Sequence, residues 1–174
     1  MTTFLDESLA ILDRTAPTLN ALLRGLPDVW IRVNEGPGTW SPYNVLGHLI
    51  HCELEDWIPR VQIILKHGPA RPFDPFDRTA HERQDQSIPF QTLLNRFSEL
   101  RAGSLRQLRE LDLQPEQLAL TGAHPAFGLV TLRQLIATWA VHDLGHLVQI
   151  SRVLAKRYRH EVGPWSEYLS VMKS

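Results

Sequence analysis

The chain has 174 residues, with 18 basic against 19 acidic side chains and a formal charge of −1. At 43% hydrophobic and 21% charged, it is neither a disordered chain nor a collagen-like one. The charge balance argues against a dedicated nucleic-acid binder, and no run of 18 apolar residues is present to cross a membrane.

The apolar pattern is helical almost throughout. Phe4, Leu5, Leu9 and Leu12 mark a first helix. Thr15-Ala16-Pro17 is a helix-start signal inside it, so either one helix bends near Pro17 or two short ones abut. Residues 34–39 form a loop by composition. Ser41 as N-cap with Pro42 at the first position opens a second helix that runs to Lys66, with Pro59 expected to bend it or end its first segment. Residues 67–88 are a long irregular connection rich in proline, arginine and aromatics. A third helix spans about 90–111, from Phe90 to Leu111. A second long connection covers 113–130. Thr131 caps a fourth helix over 132–157, with Leu135, Ile136, Trp139, Val148 and Val153 in its apolar stripe. Trp165, Tyr168, Leu169 and Met172 give the tail a near-helical face that can dock on the body. No strand of convincing alternation is found. Four main helices with long connections predict an all-α fold, a four-helix bundle that is not a tight-turn meander. A length near 170 is a prior for one domain, residues 1–174.

Eight histidines are more than an average chain carries, and two of them form H-x-x-x-H. His142 and His146, four apart, lie on one face of the last helix and can point at one ion. A third ligand would come from a facing helix, where His48 leans inward among Val45, Leu49 and Cys52, and His51 lies one turn on beside Glu55. Three neutral histidines with an open fourth position are the pattern of a catalytic rather than a closed metal site. The single cysteine, Cys52, excludes an intrachain disulfide, reads as a buried inert thiol, and makes a reducing cytoplasm the expected compartment. The opening MTTFLDESLAILDR places Asp6 and Glu7 where a secretory leader would be basic and then apolar.

Asp143 occupies the glutamate position of an H-E-x-x-H motif, but it is one methylene short for a general base. A salt link to an arginine, or a bond to an imidazole N–H, suits it better. Glu53 and Glu55 read as solvated helix-face charges. His67, His81, His124 and His160 default to the surface, and Trp57, Trp139 and Trp165 to the core. Arg71 to Arg78 suits equally a lid with an anion-binding arginine and a packed connection.

The set Trp40-Ser41-Pro42, Val45-Leu46-Gly47-His48 and His142-Asp143-Leu144-Gly145-His146 followed by Gln149-Ile150 resembles the DinB/YfiT-like superfamily of metalloenzymes, from about Leu19 to the tail. The resemblance implies up-down-down-up connectivity and a divalent ion, zinc or nickel, on His48, His142 and His146. It implies a small-molecule substrate, with a low-molecular-weight thiol among the candidates, and leaves a homodimer open. The activities it suggests are thiol-dependent S-transfer and metal-assisted hydrolysis. The alternative from another class is a non-catalytic metal- or ligand-binding stress-response protein.

Overall fold

The computed structural model describes residues 2–83 and 85–173. Its helices are α1 (Phe4–Leu23), α2 (Asp28–Ile31), α3 (Pro42–Glu55), α4 (Trp57–His67), α5 (Phe90–Glu110) and α6 (Leu132–Lys156), with strands β1 (Thr121–His124) and β2 (Gly128–Thr131) before α6. Thr3, Ser41 and Thr131 each cap a helix through their side chains, in reciprocal bonds with Asp6, Asn44 and Gln134. Pro17 lies inside one continuous α1. Its ring is exposed, so the Asp13 carbonyl it leaves unbonded can turn to water.

The expected second helix is two. The break falls at Asp56, whose φ −109° and ψ −72° are distorted from ideal helical values though still right-handed. The Asp56 N–H donates to Cys52 at 3.0 Å and its carbonyl accepts from Arg60 at 3.1 Å, so the chain turns with few bonds lost. Pro59 comes three residues later, in the first turn of α4, where its missing N–H costs nothing.

Cross-helix contacts fix the topology. Along α1, Asp13, Asn20 and Arg24 meet Arg109, Ser98 and Asn95 of α5 in descending order, so these helices are antiparallel. Phe4 and Thr15 of α1 meet Arg133 and Asp143 of α6 in ascending order, a parallel pair. Tyr43 and Glu53 of α3 meet Phe90 and Arg101 of α5, also parallel. His48 and Trp57 meet His146 and Trp139, so α3–α4 and α6 are antiparallel. The long helices therefore run up, down, down, up.

Two parallel neighbours joined in sequence need a connection as long as the bundle. The segment after α4 supplies it, travelling from the α4 end back to the start of α5. It is pinned early by a parallel bridge from Pro72 to Ala123 and by the Phe73 N–H donating to the Ala123 carbonyl at 2.9 Å. The hairpin of β1 and β2 carries no strand signal in its residues: four per strand are too few for alternation to show. At Gly122 a Cβ would come within 2.7 Å of the Phe73 ring and 2.8 Å of Ile64, so glycine is required for the hairpin to sit on the helices.

Apolar side chains fill the interior in two groups. One, around Leu12, Val61, Leu108, Ile136, Trp57 and Trp139, lies toward the hairpin. The other, around Leu19, Leu46, Leu94, Phe97 and Ile150, lies toward the opposite end. Several expected apolar contacts are corrected: Val148 faces out from α6, and in the tail Trp165, Tyr168 and Leu169 are exposed, Trp165 at 71%. Among the described residues no helix is long and apolar enough to cross a membrane.

A three-histidine centre and its cavity

Both helices that carry the candidate ligands are fixed in register by their caps, and α6 crosses α3 where His48 faces His142 and His146. The His142 Nε2 lies 3.2 Å from the His48 Nε2 and 3.1 Å from the His146 Nε2. All three side chains can bring a ring nitrogen within 4.8 Å of the others. Two nitrogens bound tetrahedrally to an ion at about 2.0–2.1 Å sit ~3.3 Å apart, so the spacing fits one ion.

Burial lowers the pKa of all three imidazoles, and their neighbours' charges add to this for His48 and His142, which fall to about 3. The rings are therefore neutral at pH 7, the state a metal ligand needs. His146 Nδ1 lies 2.8 Å from the Gln149 Oε1. A carbonyl oxygen only accepts, so the proton sits on Nδ1 and the Nε2 lone pair faces the cluster. Packing holds the other two rings: Trp40 lies 4.9 Å from His48, and Trp57 meets His142 edge-on at 5.2 Å.

The histidines open onto a cavity of about 600 Å³. Its walls are mainly apolar, with Trp57, Phe73, Phe76 and Phe127 beside the polar side chains of Asp56, Thr138 and Gln134. The crossover after α4 lines it, and Phe76 lies 5.9 Å from the His48 ring. The segment is a packed part of the wall, with Phe73 buried in it, and it brings Arg78 to the border of the space.

A model of the DinB superfamily matches residues 11–150. The chain belongs to the DinB superfamily. A solved structure of YfiT from Bacillus subtilis, described as a probable metal-dependent hydrolase with an unusual four-helix bundle topology, superposes with a TM-score of 0.76 over 88% of this chain and 87% of that one, at 19% identity. No curated protein matches in sequence.

In this DinB protein Asp143 and Glu55 fall as the sequence leads one to expect, and Glu53 does not. Asp143 is fully buried and points away from the histidines, accepting from the Thr15 hydroxyl at 2.6 Å and from both Arg101 Nη atoms. It is thus the arginine-linked residue rather than a base. Glu53 is not a solvated charge: it is buried, accepting from the Arg101 Nε at 3.0 Å and Nη2 at 2.8 Å. Its apolar surroundings raise its pKa against the pull of Arg101. Burial works against the Arg101 charge, but Asp143 and Glu53 outweigh it and hold its pKa above the ordinary value. Glu55 is exposed, as expected.

His81 is also corrected, since it is buried with its ring 4.4 Å from Trp40 and 5.6 Å from His48. His124 borders the cavity, stacked on Phe127 at 4.4 Å. His51 packs on Phe76 outside the cluster. Cys52 is fully buried with Sγ 3.5 Å from the His48 Nε2, and desolvation pushes its thiol pKa far up.

Sequence reasoning passed over Asp56. It is buried, lines the cavity and pairs with Arg60 at 2.7 Å, and burial raises its pKa. The signal was present: His48, Cys52 and Asp56 recur every four residues, which keeps them near one face of the chain.

Proposed function

We propose that this protein is a metal-dependent enzyme acting on a small molecule, with one divalent ion, zinc or nickel, held by His48, His142 and His146. The observation that carries this reading is the convergence of three neutral imidazole nitrogens, at ion-compatible spacing, on one side of a small-molecule-sized cavity. A divalent ion bound there supplies Lewis acidity, which makes a nucleophile of water or of a low-molecular-weight thiol near neutral pH.

The chain's own residues do the rest. His146 is oriented through Gln149 and His48 through Trp40. Asp56, its pKa raised by burial and its carboxyl on the cavity wall, is the side chain suited to take up a proton as the nucleophile attacks. Phe73, Phe76 and Trp57 exclude water from the reacting groups. Hydrolysis and S-transfer use the same arrangement and differ in whether water or thiol enters.

Elemental analysis of purified protein, followed by paired assays of ester hydrolysis and of thiol consumption by an electrophile, tests the proposal. About one ion per chain and metal-dependent turnover in either assay is the expected result. A protein that takes up no divalent ion overturns it, and full occupancy with no turnover points to a metal-binding protein without catalysis.

A further inference from the structure

Three of the described residues lining the cavity carry formal charge: Asp56, Arg60 and Arg78. Asp56 and Arg60 neutralise each other at 2.7 Å, and the Arg60 guanidinium is further occupied over the Phe73 ring, 5.1 Å from its centroid. Arg78 has no acidic partner among the described residues, although arginines nearby in sequence do. Arg71 pairs with Asp74 and Arg83 with Asp77, so of the three arginines in this segment Arg78, on the cavity side, is the one without an ion pair among the described residues. The Arg78 charge reaches three other residues of the lining, Asp56, His124 and His142.

Beyond this charge and the Asp56–Arg60 pair, the polar groups of the lining are neutral, four of them histidines. Trp57, Phe73, Phe76 and Phe127 supply flat apolar walls, with Thr138 and Gln134 adding neutral hydrogen-bonding groups apart from the histidines. An unpaired guanidinium at the edge of an apolar, partly water-excluded space binds a carboxylate or similar oxyanion, by charge and by its planar pair of donors. The aromatic walls take the apolar body attached to that anion.

We propose that the substrate is a small monoanion with an apolar or aromatic body, its oxyanion bound by Arg78 and its body lying between the aromatic walls toward the three histidines. The crossover that carries Arg78 is therefore the specificity element. This rests on the functional reading above for where the substrate reacts, but the binding step does not require the metal.

The test uses full-length protein stripped of metal, so that no carboxylate can bind through an ion. The probes are 3-phenylpropanoate and its neutral isostere 3-phenylpropanamide, titrated calorimetrically at low salt. The wild type is expected to bind the carboxylate about tenfold more tightly, the scale of one added charge-assisted contact. Arg78→Gln should reduce that preference to within about twofold, Arg78→Lys should keep part of it, and Arg78→Glu should reverse it. Equal binding of the two probes by the wild type, or a preference that survives in Arg78→Gln, overturns the proposal. Metal content is measured separately on the same preparations. A wild type that keeps the carboxylate preference but takes up no divalent ion supports Arg78 recognition while overturning the metal-dependent function.

Discussion

The Arg101 guanidinium of α5 grips the Asp143 carboxylate of α6 one residue after His142, on the side of α6 turned away from the cavity. Arg101 also binds Glu53 of α3 and donates to the Leu12 carbonyl of α1 at 3.1 Å. All four long helices thus meet at one buried cation, at the level where His48 and His142 must face each other. An error in helix register would separate the histidines and leave buried charges unpaired, so the cluster and the candidate centre are set by one arrangement.

Arg101→Met should therefore destabilise strongly, because two buried carboxylates would lose their one cation. A loss of about 3–5 kcal/mol is expected, seen as a fall in Tm of roughly 10 °C or more for a chain of this size. Asp143→Asn leaves Arg101 paired with Glu53 and should cost less. Thermal melts of both variants check the order; equal melting of Arg101→Met and wild type would refute the structural role.

On α3, His48 and not His51 should govern metal content. His48→Ala should lose most of the bound ion, whereas His51→Ala, whose ring packs on Phe76 outside the cluster, should keep it. Elemental analysis of the two proteins decides, and the reverse result would mean that the wrong face of α3 has been assigned.

Acid should destabilise the metal-free protein. Burial holds the folded-state pKa of His48 and His142 near 3, below the ordinary value of 6.5. Above pH 6.5 both rings are neutral in the folded and unfolded chains alike. As the pH falls below 6.5 the unfolded chain takes up protons that the folded one cannot, so stability declines down toward the folded pKa. Tm of the stripped protein should fall between pH 7 and pH 5, and His142→Gln should make that fall shallower. A flat profile over this range would contradict neutral burial of the two rings.

Gly122→Ala should perturb the cavity from behind. Its Cβ would meet the Phe73 ring and Ile64 at 2.7–2.8 Å, so one of these side chains must shift. Overpacking of this kind costs about 1–3 kcal/mol. Phe73 would be pushed toward the cavity, so the variant should melt lower and bind 3-phenylpropanoate more weakly. Unchanged binding would show that Phe73 is not part of the wall the ligand uses.

The local signals in the sequence are strong where one helix suffices to express them. Thr131, Gln134 and the apolar stripe define α6, and the four-residue spacing of His142 and His146 already places both rings on one face of it. Ser41-Pro42 does the same for the start of α3 and the position of His48. Other features depended on packing between segments. The break at Asp56 arises where α3 gives way to α4 against α6, and the proline three residues later points to a different position. The β1–β2 hairpin is held by Phe73 and Ile64 and has too little periodicity of its own to be seen. Glu53, surface-like by its charge, is buried because Arg101, 48 residues away, is there to pair with it. His81 and Arg78 reach the candidate site only because two parallel neighbouring helices force the intervening segment to run the length of the bundle. Periodicity and capping are short-range and can be read from a single segment; a partner for a buried charge, or the path of a crossover, exists only once distant segments have packed.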